Sequence, residues 1–209
     1  MPDWEYKLWN EDNFDINYND YTREAYEAGK FAFVSDVARL YALCTEGGLY
    51  FDVDFEVYRS FEGLLSYKAF AGFEGSKHSP LMMGVCASEP HGEWASQMLD
   101  AYKQRSFLKA DGSPDLTTNV QFITGIMAYG GFQQDGTEQE FKDLHILPVD
   151  YFCPMQTSGE YIRTGNTYCE HCGLASWGTH NRGWKARLLN CLGQKWKVRL
   201  IKFKRKLLG

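Results

Sequence analysis

Residues 47–57 have the sequence Gly-Gly-Leu-Tyr-Phe-Asp-Val-Asp-Phe-Glu-Val. After the two glycines, apolar residues alternate mainly with acidic ones, which predicts a β-strand with an apolar face and an acidic face. Neighbouring carboxylates on that face, those of Asp52 and Asp54, would lie roughly 7 Å apart and repel each other unless water or a cation lies between them. A divalent metal with open positions for water and for substrate phosphates fits this arrangement. A surface strand with its polar face in water would show the same alternation.

The segment immediately upstream, residues 33–48, predicts a helix. Ser35 is a suitable N-cap residue, and Gly47 suits the position after the helix C-terminus. The apolar residues with helical spacing are Val37, Leu40, Tyr41 and Cys44. Asp36 and Arg39 lie on another face, one turn apart. They predict either an ordinary i, i+3 ion pair or, beside the acidic strand, a clamp for sugar hydroxyls.

These motifs together resemble a known signature. Ser35-Asp36-x-x-Arg39 followed by Gly47-Gly48-x-Tyr50-x-Asp52-x-Asp54 is similar to the block found in glycosyltransferases whose sugar-binding region contains a DXD motif, glycosyltransferase family 32. Residues 111–120 are similar to a stretch of the bacterial capsule-type members, and residues 151–154 and 166–177 resemble the closing motif of the family. The resemblance therefore covers about residues 1–180.

The resemblance implies an α/β fold of the GT-A type, a nucleotide-sugar-binding sandwich with a mostly parallel central sheet. Family members usually begin with a strand upstream of the block that opens this chain, so the fold is expected to lack its usual first strand. The implied activity is metal-dependent, retaining transfer of a hexose from a nucleotide sugar, with a UDP-sugar favoured. The implied acceptor is a saccharide or a lipid-linked saccharide in surface polysaccharide synthesis.

The resemblance also implies roles for individual residues. Donor-sugar contacts are expected from Asp36, Arg39 and Asp52; diphosphate contacts from Ser176 and Trp177; and Mn²⁺ or Mg²⁺ ligation from Asp52, Asp54 and His171. No nucleophile is assigned, because Glu56 and Asp115 have plain alternatives as a solvated strand residue and a turn residue. Attack from the same face as the leaving group is the mechanism that the resemblance favours.

The pair Cys169 and Cys172 brackets His171 and raises the alternative of a zinc or redox site. Structural zinc needs four ligands at close spacing, and the other four cysteines are scattered along the chain. Buried, reduced thiols are therefore the favoured interpretation.

Composition favours one intracellular domain. The chain has 209 residues, of which 44% are hydrophobic, enough for one substantial core. It contains no run of about 18 apolar residues and no apolar N-terminal signal, and its cysteines lack the spacing of a disulfide framework. A cytoplasmic location is expected, with peripheral attachment to the inner face of the membrane as an addition.

The expectation of peripheral membrane attachment comes from the C-terminal tail, residues 181–209. Residues 178–209 carry 10 Lys and Arg and no acid, whereas residues 1–177 carry 12 Lys and Arg against 27 Asp and Glu, a net charge of −15. Apolar residues recur with helical spacing at Trp196, Leu200, Phe203 and Leu207. Residues 195–208 thus predict a basic amphipathic helix on an anionic membrane or, alternatively, a helix docked on the acidic domain. The acidic body argues against nucleic-acid binding.

Two alternative functions remain open at this point. One is a catalytically impaired remnant or binding module of the same fold, and the other is a metal-dependent phosphodiesterase that uses Asp52, Asp54 and Glu56 as a two-metal cluster. Elsewhere, periodicity predicts helices at residues 22–29, 93–105 and 118–130 and strands at residues 1–10, 69–73 and 81–87.

Overall fold

The computed structural model describes residues 4–75, 80–154 and 163–171. In chain order, the helices within these residues are α1 (Asp20–Glu27), α2 (Phe31–Thr45), α3 (Glu93–Lys103) and α4 (Asn119–Tyr129). The strands are β1 (Gly48–Phe51), β2 (Phe55–Val57), β3 (Ala69–Phe73), β4 (Leu81–Ser88), β5 (Gln139–Phe141), β6 (Leu144–Leu147) and β7 (Cys169–His171). Short 3₁₀ turns cover Phe61–Leu64 and Val149–Tyr151.

The helix ends follow local chemistry. Helices α1 and α4 begin with capping boxes, formed by Asn19 with Thr22 and by Thr118 with Gln121. The predictions at residues 93–105 and 118–130 are confirmed to within two residues, and α1 begins two residues before the predicted start because Asn19 caps it. The strand predicted at residues 1–10 is wrong for its described part, residues 4–10, which contains no strand.

Helix α2 begins earlier than its sequence predicts. It starts at Phe31, so Ser35 lies inside the helix, where its hydroxyl donates to the Ala32 carbonyl oxygen at 2.8 Å. No glycine or proline separates residues 31 and 35, and the helix extends through them. Its end is as predicted: Gly47 has φ +71°, and a Cβ there would lie 2.6 Å from Pro90 Cδ, so glycine is required.

The central sheet has the strand order β1-β4-β3-β6-β5. Only β3 and β6 pair in parallel among the described strands, whereas β1–β4, β3–β4 and β5–β6 are antiparallel. The mostly parallel sheet expected from the resemblance is therefore wrong, although the α/β class is confirmed. Short links account for the difference, since seven residues separate β3 from β4 and two residues join β5 to β6, and such short links favour hairpins. Strands β2 and β7 form a separate antiparallel pair.

Two hydrophobic clusters cover opposite faces of the central sheet. Along β3, Ala69, Ala71 and Phe73 belong to the cluster formed with the four helices, whereas Phe70 belongs to the cluster that includes Phe152. This alternation follows from the two-residue period of a strand. Helix α2 is thereby fixed against the sheet immediately before β1, where the acidic residues follow. No helix among the described residues is both long enough and apolar enough to span a membrane.

Candidate active site

The acidic residues lie in a turn, so the unbroken strand predicted over residues 47–57 is wrong. Strand β1 ends at Phe51 and β2 begins at Phe55, because β1 pairs with β4 in the central sheet and β2 pairs with β7 in the other. A chain that changes sheets must turn between them. Val53, at the tip of this turn, is 97% exposed. Asp52 and Asp54 thus flank the tip of a turn instead of sharing one strand face.

Asp52 is held by side chains from β1 and α2. The Tyr50 hydroxyl donates to Asp52 Oδ1 at 2.7 Å, and Arg39 Nη2 lies 3.5 Å from the same oxygen. The Arg39 guanidinium also lies 4.7 Å from the centre of the Tyr50 ring, where a cation is attracted to the aromatic face. The backbone N–H of Asp52 donates to the Gly84 carbonyl oxygen at 2.8 Å. The carboxylate is therefore fixed at the end of β1.

Arg39 joins Asp52 to Asp36 behind it. Arg39 Nη2 lies 3.0 Å from Asp36 Oδ1, and Arg39 Nη1 donates to the Met83 carbonyl oxygen at 2.6 Å. The side chains of Arg39 and Asp36 are 6% and 10% exposed, whereas that of Asp52 is 32% exposed. The pair is thus buried, unlike an ordinary surface i, i+3 pair. The structure brings the three predicted donor-sugar residues into one network, with Asp52 as its most exposed member.

Burial raises the pKa of Asp36 to about 7. The positive charges of Arg39 and Arg105 oppose this shift, and the negative charge of Asp52 adds to it. Because Asp36 has a folded-state pKa above its ordinary value, the folded protein binds a proton more tightly there than the unfolded chain does.

We expect Asp36→Asn to change the pH dependence of stability. Relative to the variant, the free energy of unfolding of the wild type should fall by about 4 kcal/mol as the pH rises from about 4 to about 7, and should change little above that. Urea unfolding of both proteins between pH 4 and pH 8 measures this difference. The exposed Asp100→Asn variant serves as the control and should follow the wild type. A constant difference between wild type and Asp36→Asn across this range would contradict the prediction.

Asp54 meets His171, a residue 117 positions later in the chain. Asp54 Oδ2 lies 3.1 Å from His171 Nε2, and their side chains are 11% and 35% exposed. The antiparallel register of β2 and β7 places Phe55 opposite His171, and the two rings lie 4.9 Å apart between centres. A carboxylate oxygen and an imidazole nitrogen can both ligate a divalent transition metal such as Mn²⁺. Asp54 and His171 therefore fit a cation whose other positions are taken by water and phosphate oxygens.

The described structure does not assemble the full predicted metal set. Within residues 4–75, 80–154 and 163–171, no group of three or more His, Cys, Asp or Glu side chains is placed to hold a metal ion. Asp52 is engaged by Arg39 instead of lying with Asp54 and His171. Glu56 lies on β2, where the Tyr58 hydroxyl contacts it at 3.2 Å. The two-metal cluster of the phosphodiesterase alternative is thus not formed among these residues.

Several predicted features fall outside the described residues: Ser176, Trp177, Cys172 and the tail at residues 181–209. Of the residues considered as nucleophiles, Asp115 is paired with Arg105 at 2.7 Å. Although burial raises it, hydrogen bonds from Thr117 and Arg105 lower the pKa of Asp115 to about 2. Cys169 is buried, and burial raises the pKa of its thiol, which favours the protonated form.

Two participants in the site received no role from the sequence. Tyr50 stands two residues before Asp52, and this spacing on one strand could have indicated that their side chains share a face. Gly84 lies under the turn: a Cβ there would approach Phe55 Cε2 to 2.7 Å and Asp52 Oδ2 to 3.0 Å. The residues next to Gly84 in the sequence could not have predicted this contact, because it depends on the pairing of β1 with β4.

The first 71 residues match a known family model. Its description is "Glycosyltransferase sugar-binding region containing DXD motif", and residues 1–71 are matched. No curated protein and no solved structure gives a significant match. The match includes Asp36, Arg39, Asp52 and Asp54, ends before His171, and gives no support for glycosyltransferase family 32 or for a capsular pathway. Over about its first third, the chain is therefore similar to DXD-containing glycosyltransferases, and the similarity points to a glycosyltransferase in general.

Proposed function

We propose that this protein is a metal-dependent, retaining glycosyltransferase that moves a hexose from a nucleotide sugar, with UDP-sugars favoured, to a saccharide or lipid-linked saccharide. The observation that carries the proposal is the fixed position of Asp52, which Arg39 and Tyr50 hold at the turn that also presents Asp54. Side chains that are held in position before a ligand binds favour recognition of a sugar diphosphate, because less conformational freedom is lost on binding. The family match over residues 1–71 supports the same conclusion.

Each side chain has a role in this proposal. Asp54 and His171 would hold Mn²⁺ or Mg²⁺, and Asp52 would support the cation, the ribose or both. When bound, such a cation would supply positive charge beside the leaving nucleoside diphosphate. Asp36 and Arg39 orient Asp52 and line the donor-sugar side, while Ser176 and Trp177 contact the diphosphate. The GT-A type is proposed in a variant with a largely antiparallel sheet.

The tail supplies the proposed link to the acceptor. The 10 positive charges of residues 178–209 and the helical spacing within residues 195–208 suit an anionic membrane surface. A lipid-linked acceptor at that surface would then be held near the catalytic domain, which raises its effective concentration. We propose this arrangement for surface polysaccharide synthesis.

The proposal predicts metal-dependent donor binding. With Mn²⁺ and a UDP-sugar at about 100 times its Kd, the melting temperature of the wild type should rise by about 5 to 10 °C. Asp54→Asn should lose most of this rise, because an amide is a weaker ligand for a divalent cation than a carboxylate. Thermal unfolding against a panel of UDP- and GDP-sugars, with and without Mn²⁺, measures the effect.

The exposed Asp100→Asn variant is the matched control and should respond like the wild type. Silence of the wild type across the whole panel would overturn the proposal and favour the remnant or binding module. Hydrolysis of phosphodiesters without any response to nucleotide sugars would favour the phosphodiesterase.

A further inference from the structure

A cleft of about 450 Å³ lies at the end of the central sheet that is remote from the acidic turn. The residues of its lining that carry a charge or an aromatic ring include Tyr67, Lys68, Glu93, Glu140, Lys142 and His145. We call it the hairpin cleft, because Lys142 belongs to the link between β5 and β6. Its volume is within the usual range of small-molecule sites, and its polar lining suits a polar ligand.

Strand register places the hairpin cleft away from the proposed donor site. Lys68 precedes β3, whose first residue, Ala69, pairs with Ser88 at the end of β4. The acidic turn contacts β4 further back, where the Asp52 N–H donates to the Gly84 carbonyl oxygen. The strand length from Gly84 to Ser88 corresponds to about 13 Å. A ligand in the hairpin cleft therefore occupies a different position from the sugar proposed to bind near Asp52.

The walls of the hairpin cleft are fixed by contacts within the protein. His145 Nε2 lies 2.7 Å from Glu138 Oε1, and the His145 ring stacks on that of Tyr67 with 3.9 Å between centres. Asp143 Oδ2 accepts from the backbone N–H of Glu93 at 2.6 Å, which joins the link between β5 and β6 to the first turn of α3. These contacts restrict the walls before a ligand binds, so less conformational freedom is lost on binding.

The charged groups of the hairpin cleft retain hydrogen-bonding capacity. Lys142 Nζ lies 2.6 Å from Glu93 Oε1, which leaves further donors on the ammonium and the second oxygen of the carboxylate. Lys68 is exposed, and its ammonium forms no ion pair or hydrogen bond with any residue that the structure describes. Glu140 is 79% exposed and lies 3.7 Å from His145 Nδ1. Ammonium donors and carboxylate acceptors thus line the same cleft.

Lys142 occupies a backbone position that favours glycine. Its φ is +57°, in the left-handed region that glycine adopts without a penalty from a Cβ atom. Turn geometry therefore does not explain the lysine. Its side chain instead places an ammonium beside Glu93 in the lining of the cleft. Unfavourable backbone conformations are often retained at functional sites, which agrees with a role for this side chain.

The mixed charge of the cleft selects a neutral ligand that is rich in hydroxyl groups. A hydroxyl both donates and accepts, so it can pair with an ammonium and a carboxylate at once, whereas a cation could only donate. An anion could only accept, and it would be repelled because the carboxylates of the lining outnumber the ammonium groups. These are the carboxylates of Glu93, Glu140 and Asp143 against the ammonium groups of Lys68 and Lys142. An apolar ligand would desolvate all of them without compensation.

We propose that the hairpin cleft is a second carbohydrate site, which binds a neutral saccharide away from the acidic turn. Binding there does not require catalysis, but its role as a holding site for a distant part of the saccharide acceptor rests on the proposed glycosyltransferase function. A saccharide chain held in the cleft would have a raised effective concentration of its free end near the acidic turn.

The test measures binding of short glucose, galactose and mannose oligomers by calorimetry, with inorganic pyrophosphate as the anionic probe. At least one oligosaccharide should bind the wild type, and Lys68→Ala and Lys142→Gly should each bind it about 10-fold more weakly, because a charged donor is lost. Lys142→Gly should melt close to the wild-type temperature, because the gain from glycine at φ +57° offsets the loss of an exposed ion pair. Its weaker binding would then not result from unfolding.

Lys109→Ala is the matched control, since Lys109 is exposed and lies outside the lining of the cleft, and it should bind the oligosaccharide like the wild type. Lys68→Ala should bind UDP-sugars with Mn²⁺ as the wild type does, because the two sites are separate. The inference would be overturned by a wild type that binds no oligosaccharide, by lysine variants that bind it equally well, or by pyrophosphate binding that depends on Lys68. Oligosaccharide binding without any donor binding would overturn the proposed function and the holding role, and would support the carbohydrate site alone.

Discussion

Arg39→Ala should abolish donor binding and lower the free energy of unfolding by about 3–5 kcal/mol at pH 8, the largest effects expected from any single change here. Arg39 neutralises Asp36 at 3.0 Å and donates to the Met83 carbonyl oxygen at 2.6 Å. Without it, a buried carboxylate loses its cation at a pH above its pKa of about 7, and Asp52 loses a contact that fixes it. Urea unfolding and calorimetry with Mn²⁺ and UDP-sugars measure the two effects.

Two further arginine variants separate charge from geometry. Arg39→Lys keeps the charge but lacks the planar fork that serves three partners at once, so it should recover stability more than donor binding. Arg23→Ala is the control, because Arg23 is 39% exposed and pairs with Asp20 on the surface of α1. It should cost at most about 1 kcal/mol and leave donor binding intact. Unchanged donor binding by Arg39→Ala would contradict the role given to Arg39.

Gly84→Ala is expected to weaken binding of Mn²⁺ with UDP by at least about 10-fold and to destabilise the fold by about 1–3 kcal/mol. A Cβ at Gly84 would lie 2.7 and 2.9 Å from carbons of the Phe55 ring and 3.0 Å from Asp52 Oδ2. The ring must move, and it packs against His171. One methyl group would therefore shift both the acidic turn and the strand that supplies its partner.

Gly125→Ala provides the matched control for this change. A Cβ at Gly125 meets no atom within 4 Å, and Gly125 lies within α4, where alanine favours the helix by up to about 1 kcal/mol. This variant should be as stable as the wild type or more so, with unchanged binding. Equal binding by Gly84→Ala and Gly125→Ala would show that the turn tolerates displacement, contrary to the prediction.

Part of this site could be predicted from the sequence, because it depends on interactions between residues that are close together in the chain. The glycine that ends α2 was identifiable because only a left-handed residue closes a helix in that way, and Asp36 and Arg39 were correctly placed one turn apart. Their burial was not readable, since it depends on α2 packing between α1, α3 and the sheet. The N-cap at Ser35 failed because a hydroxyl can bond to its own helix as well as cap one.

The acidic turn shows where pattern reading fails. The alternation of residue types between residues 49 and 57 is compatible with one long strand and also with two strands joined by a turn at Asp52–Asp54. The two arrangements make different predictions for Val53, which would be on the apolar face of a single strand but is exposed in the turn. Strand pairing decides between them, and the partners are β4 and β7, far along the chain. The error in strand direction has a different source: the mostly parallel sheet was implied by the resemblance, whereas β3–β4 and β5–β6 pair as antiparallel hairpins and only β3–β6 is parallel among the described strands.

The contact between Asp54 and His171 orders events during synthesis. The chain leaves the ribosome from its N-terminus at roughly 5–20 residues per second, so Asp54 and the adjoining strand β2 emerge several seconds or more before β7, the strand that pairs with β2. Until β7 has been synthesised, β2 has no strand to pair with, and the Asp54 carboxylate has no contact with the His171 imidazole. A nascent chain or degradation product that stops short of Cys169 would carry the whole matched segment, residues 1–71, yet could not form the contact between Asp54 and His171.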